Sequence, residues 1–342
     1  MEKMIGAVHS SHSISEAGDI GALRRTARDI AGDAGLQSEA IAKADIVVTE
    51  LATNLIKHAG VVGEILLGHT FINGIGALEV IALDKGPGMQ DPHRMLEDGV
   101  STTGTLGGGL GAVIRLSDEF AIHSEKKCGT AVLSRLWSKP DFQDWATDLM
   151  EFGGITVAIK GEKVSGDRWA VKKCDGKFIV LLVDGLGHGP KAAEAAEEAV
   201  RVFLSAENSI PSDLLRIMHE ALRHTQGAAA AVTLLDPRVN EAIYSGLGNI
   251  SGRIVLADVG RSCVSIPGGL GFEMRKVHDF MYPWDKKSIL LMHSDGIKSS
   301  IDCTGFGGHH PTLMSAVLYR DYGRNTDDTS VVMGRCHGSK LS

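Results

Sequence analysis

The hydrophobic pattern changes in the segment 138–150, which carries Pro140 and several acidic residues, and this change predicts two domains. Helix-like and strand-like segments alternate before it, whereas short strand-like runs dominate after it. The chain has 342 residues, which is enough for two domains that each bury a core. We therefore expect a first domain at 1–138, a linker at 139–150 and a second domain at 151–342.

The first half begins with two helix-like segments, at 19–34 and 38–58, and the second opens on Ser38 as a candidate N-cap. Two strand-like runs follow, GEILLGHTF and GALEVIALD. A helix in LGAVIRLSDEF and a hairpin with Cys128 and Gly129 near its turn complete this half. These elements predict an α+β layer with helices on one face of a mixed sheet.

The second half contains many short strand-like runs, from GITVAIK to TSVVMG, with two long helical stretches at 190–206 and 211–224. Many antiparallel strands with a helix pair predict a sandwich of two sheets flanked by helices. The segment 257–287 carries no sharp motif, and we expect at most a small flap there.

Composition excludes several classes of protein. The net charge of −7 argues against a nucleic-acid partner, which usually requires a basic face. The sequence contains no run of about 18 apolar residues, so no membrane span is predicted. The five cysteines are odd in number, far apart and without a C-x-x-C pair, so we expect reduced thiols in a cytoplasmic protein.

Several strands of the second half meet an aspartate at one end: Asp167, Asp184, Asp295, and the pair Asp327 and Asp328. One such aspartate is commonly a turn or cap residue. If the strand ends converge, however, the carboxylates gather without cationic partners and cannot all stay ionised unless a cation joins them. Oxygen ligands select Mg²⁺ or Mn²⁺, and two such ions could activate a water and clamp a phosphoryl group.

The motifs SGD, DGLGHG, GN, SDG and DDTS follow in this order, and over about 151–335 they resemble the SpoIIE/RsbX branch of the metal-dependent (PPM) protein phosphatases. These enzymes remove phosphate from serine and threonine. The resemblance implies a PPM-type αββα sandwich, in which Asp184 and the carbonyl of Gly185 bridge two metal ions.

The same resemblance implies that Asp167, Asp295 and Asp327 complete the metal site, with Asp327 preferred over Asp328 as the last ligand. His188 would either protonate the leaving serine oxygen or order a water. The role of the GN pair stays open.

In the first half, Glu50 and Asn54 are four residues apart and share one face of the second helix. By themselves they are typical of a solvated helix face. Asp84, however, ends a strand and precedes Gly86 and Gly88. The glycine-rich stretch STTGTLGGGLG then opens a helix, where free N–H groups and the helix dipole favour an anion. It is neither a Walker loop nor a Rossmann fingerprint.

The order E-x-x-x-N, D-x-G-x-G, glycine loop and GT resembles the GHKL (Bergerat) ATP-binding fold over about 15–137, and more closely the RsbT-type serine kinases. The resemblance implies that Asn54 binds Mg²⁺ on ATP and that Asp84 binds the adenine amino group. Gly86 and Gly88 would make room for the base, and Glu50 would deprotonate a protein serine. Further nucleotide contacts are implied for Gly104, Thr105, Gly107, Gly108, Gly109, Leu110, Gly111 and Thr130.

A kinase-like and a phosphatase-like domain on one chain predict a bifunctional switch in bacterial stress or sigma-factor signalling, with ATP, Mg²⁺ and Mn²⁺ as cofactors. Its expected substrate is a serine on a STAS-type antagonist protein, with a downstream switch protein as a further partner. Two alternatives stay open: a phosphatase regulated by a non-catalytic ATP-binding domain, and a scaffold with both sites inactive.

Overall fold

The chain folds as two compact units in the computed structural model. His9–Gln143 form one unit, called here the N-terminal unit, and Met1–Val8 with Asp144–Ser342 form the other, the C-terminal unit. The first eight residues thus belong to the C-terminal unit, whereas the sequence predicted them in the first domain. The structure describes residues 2–89, 109–139, 142, 149–256, 259–274, 276–303 and 305–337.

The N-terminal unit is a two-layer sandwich of helices on a sheet, as predicted, but three of its strand pairs are antiparallel, whereas a mixed sheet was predicted. Its strands pair in the order β1-β2-β3-β5-β4, and the β2–β3, β3–β5 and β4–β5 pairs are antiparallel. The elements are β1 (Glu2–Ile14, whose first residues belong to the C-terminal unit), α1 (Asp19–Asp33), α2 (Ser38–His58), β2 (Gly63–Ile72), β3 (Ile75–Leu83), α3 (Gly109–Leu116), β4 (Glu119–Glu125) and β5 (Gly129–Trp137).

Helical periodicity explains how α1 and α2 pack. Leu23, Ala27 and Ala31 recur every four residues and form the buried stripe of α1. That stripe and the apolar face of α2 cover alternate residues of the sheet, such as Leu67 and Val80. Both helices therefore lie where the sequence predicted them.

Two local predictions for the N-terminal unit were wrong or incomplete. Ser38 is the first residue of α2, not its N-cap, because Gln37 occupies the cap position and no side chain caps the helix. Strand β1 was not predicted, since its second half, HSSHSI, is polar except for Ile14 and gives only a weak strand signal.

The C-terminal unit contains most of the strands, and several of its helices cover them. A short 3₁₀ turn at Leu222–His224 extends α5. The elements are β6 (Met150–Val157), β7 (Asp167–Cys174), β8 (Lys177–Gly185), α4 (Pro190–Ser205), α5 (Pro211–Ala221), β9 (Ala228–Asp236), β10 (Glu241–Leu247), β11 (Ser251–Leu256), β12 (Val259–Ser262), β13 (Ser265–Ile266), β14 (Phe280–Pro283), β15 (Ile289–His293), α6 (Pro311–Tyr322) and β16 (Thr329–Cys336).

These strands form two runs, β12-β11-β15-β16-β6 and β7-β8-β9-β10-β13. Helices α4 and α5 pack on the second run and α6 packs on β6 and β16. Between the runs, Trp169 of β7 lies against Gly154 of β6, where a Cβ atom would be 2.9 Å from the indole. This is the predicted sandwich flanked by helices.

The structure corrects the predicted sandwich in two places. Strands β10 and β13 pair in parallel, whereas an all-antiparallel arrangement was predicted. The expected flap contains the short strands β12, β13 and β14, and helix α6 was not predicted at all.

None of the described helices has the length and apolar character needed to cross a bilayer.

Candidate metal and nucleotide sites

Asp167 and Asp184 lie directly opposite each other on neighbouring strands at one end of the β7–β8 pair. Directly opposed residues have Cβ atoms about 5 Å apart and face the same side of the sheet. Side-chain alternation puts Asp167 on the same face as Trp169, which points between the sheets. Two carboxylates are therefore adjacent at the edge of the sandwich.

Asp167 is completely buried, and neither carboxylate oxygen makes a hydrogen bond of ordinary geometry with a described residue, although the Ser294 and Ser330 hydroxyls lie near enough to lower its pKa. Burial, followed by the charges of Asp184 and Asp328, raises the pKa of Asp167 well above its ordinary value. Burial and the charges of Asp295 and Asp327 raise the pKa of Asp184 to about 7. Like charges in a poorly solvated site explain both shifts.

Asn249, from the GN pair, joins two of the predicted ligands. Its Nδ2 donates hydrogen bonds to Oδ2 of Asp295 (2.8 Å) and Oδ2 of Asp184 (3.3 Å). The other oxygen of Asp295, Oδ1, is buried without a partner among the described residues. Asp327 also belongs to this neighbourhood, because burial and then the charge of Asp295 raise its pKa. The structure therefore places each of the four predicted aspartates near enough to another carboxylate for their charges to interact.

Asp328 has a different environment from Asp327. Its Oδ1 accepts a hydrogen bond from the backbone N–H of Ile159 (2.7 Å), and its Oδ2 accepts one from Gly166 (2.6 Å). Both oxygens are thus engaged in fixing the segment 159–166. We therefore keep Asp327, and not Asp328, in the proposed ligand set.

The clustered carboxylates repel one another, and a divalent cation among them would neutralise that repulsion. Burying several carboxylates beside one another is costly, and clusters of oxygen ligands select hard cations. In the described ranges, no three acidic, histidine or cysteine side chains stand ready at cation-binding distance. The Asn249 amide lies between Asp184 and Asp295, so metal binding requires small side-chain movements there.

The glycine loop after β8 is shaped by packing. A Cβ atom at Gly185 would lie 2.2 Å from the carbonyl oxygen of Ala192, so only glycine lets α4 approach β8 this closely. Gly187 and Gly189 have φ angles of 85° and 75°, which favour glycine. The loop presents His188, whose Nδ1 lies 2.8 Å from Oε1 of Glu162.

In the N-terminal unit, Glu50 and Asn54 lie on one face of α2, opposite the start of α3. A Cβ atom at Gly109 would be 2.9 Å from Oε2 of Glu50 and 3.5 Å from Oδ1 of Asn54. Both side chains are partly buried, so this is not the fully solvated helix face that the two residues alone would indicate. Gly109, from the last part of the predicted glycine loop, therefore lies beside Glu50 and Asn54, and Leu110 and Gly111 follow it in α3.

Asp84 is held at the end of β3 by backbone contacts. Its Oδ1 accepts hydrogen bonds from the backbone N–H groups of Gly86 (2.7 Å) and Thr130 (3.2 Å). The Thr130 hydroxyl lies 2.9 Å from that of Ser124, a residue that sequence reasoning missed. These contacts gather Asp84, Gly86 and Thr130 at one edge of the sheet.

Gly86 and Gly88 have packing reasons of their own. A Cβ atom at Gly86 would lie 2.4 Å from the carbonyl oxygen of Ala59. Gly88 has a φ of 66°, and a Cβ atom there would lie 1.9 Å from the carbonyl oxygen of Glu125. Whether they also admit a base stays a prediction. Four predicted phosphate contacts lie outside the described residues: Gly104, Thr105, Gly107 and Gly108.

Two family models match the chain. Residues 15–135 match the histidine kinase-like ATPase domain, and residues 174–304 match the family described as Stage II sporulation protein E (SpoIIE). The first match contains the site formed by Glu50, Asn54 and Asp84. The second contains Asp184, Asn249 and Asp295.

Two curated proteins of Bacillus subtilis (strain 168) are similar to successive parts of the chain. The serine/threonine-protein kinase RsbT is 38% identical over 119 residues, which is 35% of this chain and 89% of RsbT. The phosphoserine phosphatase RsbX is 23% identical over 141 residues, which is 40% of this chain and 70% of RsbX.

A solved structure of RsbX in complex with magnesium superimposes with a TM-score of 0.50 and 18% identity. The alignment covers 55% of this chain and 96% of the RsbX chain. At this level of identity the similarity concerns the fold. It agrees with the sandwich described above.

Proposed function

Because this chain belongs, through its N-terminal region, to the RsbT family of histidine kinase-like ATPases and carries a SpoIIE-type domain behind it, we propose that it is a bifunctional switch. One unit transfers phosphate from ATP to a serine of a partner protein. The other removes phosphate from phosphoserine or phosphothreonine. Both reactions depend on positioning and charge neutralisation, which the two candidate sites are built to supply.

The observation that carries the phosphatase half is the buried carboxylate cluster. Asp167 and Asp184 are adjacent, Asp167 is completely buried, and the pKa values of both carboxyl groups are raised by burial and by neighbouring carboxylates. We propose that Asp184, the carbonyl of Gly185, Asp167, Asp295 and Asp327 would hold two divalent cations. When bound, such ions supply a nucleophilic water at neutral pH and neutralise the phosphoryl oxygens.

The observation that supports the kinase half is that Glu50 and Asn54 lie close to Gly109 at the start of α3. An amide oxygen on Asn54 suits Mg²⁺ carried by the ATP phosphates. Glu50, one helical turn away, is the proposed base for the serine hydroxyl. Asp84, fixed at the sheet edge, is the proposed partner of the adenine amino group. The 38% identity to the kinase RsbT supports this assignment.

We propose a STAS-type antagonist protein as the shared substrate, as the resemblance of the N-terminal unit to the RsbT-type serine kinases implies. Opposed activities on one chain then set the phosphorylation level of one serine. Mg²⁺ or Mn²⁺ serves the phosphatase unit and Mg²⁺–ATP serves the kinase unit.

The test measures both reactions on the full chain. Transfer from γ-labelled ATP to a purified STAS protein should be lost in Glu50→Gln, and Mn²⁺-dependent hydrolysis of p-nitrophenyl phosphate should be lost in Asp184→Asn. Each variant is the control for the other, because the substitutions lie in different units. If Glu50→Gln transfers label as fast as the parent chain, the base assignment is wrong.

A second candidate is a phosphatase whose N-terminal unit binds ATP without transferring phosphate. It predicts ATP binding, ATP-dependent phosphatase rates and no labelled partner. Appearance of phosphoserine on the STAS protein would eliminate it.

A further inference from the structure

A surface carboxylate, Glu162, contacts the loop that follows the metal-site strand. Oε1 of Glu162 lies 2.8 Å from Nδ1 of His188. A carboxylate can only accept a hydrogen bond, so Nδ1 must carry the hydrogen. The other ring nitrogen, Nε2, is then the atom that exchanges a proton with a ligand.

The segment that carries Glu162 is fixed at both ends. Asp328 accepts hydrogen bonds from the backbone N–H groups of Ile159 (2.7 Å) and Gly166 (2.6 Å). Between them, the N–H of Glu162 donates to the carbonyl of Ile159 at 3.0 Å. Asp328 is itself buried and follows the proposed ligand Asp327 directly. Formation of the carboxylate cluster and placement of Glu162 are therefore linked through one residue.

The His188 side chain is exposed, and two glycines shape the backbone of the loop that carries it. Gly189 lies beneath the Glu162 carboxylate, and a Cβ atom there would be 3.1 Å from Oε2 of Glu162. Its φ of 75° and the φ of 85° at Gly187 set the path of the loop around His188. The His188 ring also lies within electrostatic reach of Asp327, whose pKa it acts to lower. The ring therefore stands beside the carboxylate cluster.

We propose that Glu162 is a positioning residue that holds the doubly protonated His188 ring through its Nδ1–H, which leaves the Nε2 proton available for the leaving group. This rests on the proposed phosphatase function. A water oxygen bonds to phosphorus while the bond between phosphorus and the serine Oγ breaks. The electron pair of that bond goes to Oγ, which takes the proton from Nε2. The attacking water releases one proton to solvent, and solvent reprotonates His188. Glu162 stabilises the protonated ring and fixes its tautomer, as carboxylates do for catalytic histidines.

The test compares leaving groups. A serine alkoxide needs a proton to depart, whereas p-nitrophenolate departs without one. General acid catalysis contributes about 10²- to 10⁴-fold. We expect Glu162→Ala to lower kcat on a phosphoserine peptide about ten- to a hundredfold. The loss in kcat on p-nitrophenyl phosphate should be smaller by a factor of about ten or more. Glu162→Gln, whose amide oxygen still accepts from Nδ1, should recover part of the loss.

A double-mutant cycle identifies the route of the effect. In a His188→Ala background, Glu162→Ala should cause no further loss on the phosphoserine peptide. Glu220→Ala, which removes an exposed carboxylate paired with Arg223, is the matched control and should change neither rate. Equal losses on both substrates, or additive losses in the double variant, would overturn the proposal. Absence of metal-dependent hydrolysis in the parent chain would instead overturn the proposed function.

Discussion

Substituting Asp184 should stabilise the metal-free protein, and Mg²⁺ should offset most of that difference because it stabilises only the parent. In the folded chain the pKa of Asp184 is raised from 3.8 to about 7 by burial and by the neighbouring Asp295 and Asp327. Ionising it there costs up to about 4 kcal/mol. Removing the charge with Asp184→Asn removes that cost, but also removes a proposed metal ligand.

The sign follows from proton binding. Between pH 4 and pH 7 the folded chain keeps a proton on Asp184 that the unfolded chain has lost, so stability falls as the pH rises. At pH 8 without metal, we expect Asp184→Asn to exceed the parent in free energy of unfolding by about 2–4 kcal/mol, with little difference near pH 4. At a hundredfold excess over Kd, Mg²⁺ should add about 2.7 kcal/mol to the parent and little to the variant.

The assay is thermal unfolding at pH 4, 6 and 8, with EDTA or with Mg²⁺. Asp236→Asn is the matched control, because a hydrogen bond from Arg238 lowers the pKa of Asp236, and its loss should destabilise the chain at pH 8. If Asp184→Asn is less stable than the parent in EDTA at pH 8, the strands do not hold mutually repelling carboxylates.

Three further substitutions have defined outcomes. Glu50→Gln should keep ATP affinity within about threefold while phosphate transfer falls about 10²-fold or more, measured by ATP titration and label transfer; weak ATP binding would contradict a role limited to chemistry. Asn54→Ala should weaken Mg²⁺–ATP binding about tenfold or more, and unchanged calorimetric affinity would remove it from the site. Gly185→Ala should destabilise the C-terminal unit by about 1–3 kcal/mol, because the added Cβ atom would clash with Ala192. Gly32→Ala is the control: no atom lies within 4 Å of its added Cβ, so the substitution should stabilise α1 by about 0.5–1 kcal/mol. Denaturant unfolding measures both, and equal effects would contradict the packing argument.

The sequence predicted the elements whose periodicity is strong. Helices α1 and α2 begin and end within a residue of their predicted positions, because their buried residues recur at helical spacing. Strands such as β8 were also predicted, since IVLLV is a continuous buried run. Strand β1 and helix α6 were missed. The former has a polar second half, and the latter lies in a segment whose signals, Pro311 and a capping His310, are local and weak.

The candidate sites were predicted at the level of residues but not of contacts. Motif order pointed to Asp167 and Asp184, and the register of two strands places them opposite each other. The preference for Asp327 over Asp328 came from the family resemblance alone, because the physical difference arises from backbone N–H groups 169 and 162 residues away. Glu162 lacks any motif, and its contact with His188 depends on a loop fold that pattern cannot specify.

Crystals grown with Mn²⁺ and measured at the manganese absorption edge test the central claim most directly. The account predicts an anomalous peak within ligand distance of Asp184 and the Gly185 carbonyl, with Asp167, Asp295 and Asp327 around the site and the Asn249 amide turned away from Asp184. A saturated crystal without a peak among these aspartates, or with Mn²⁺ bound elsewhere on the unit, would contradict it.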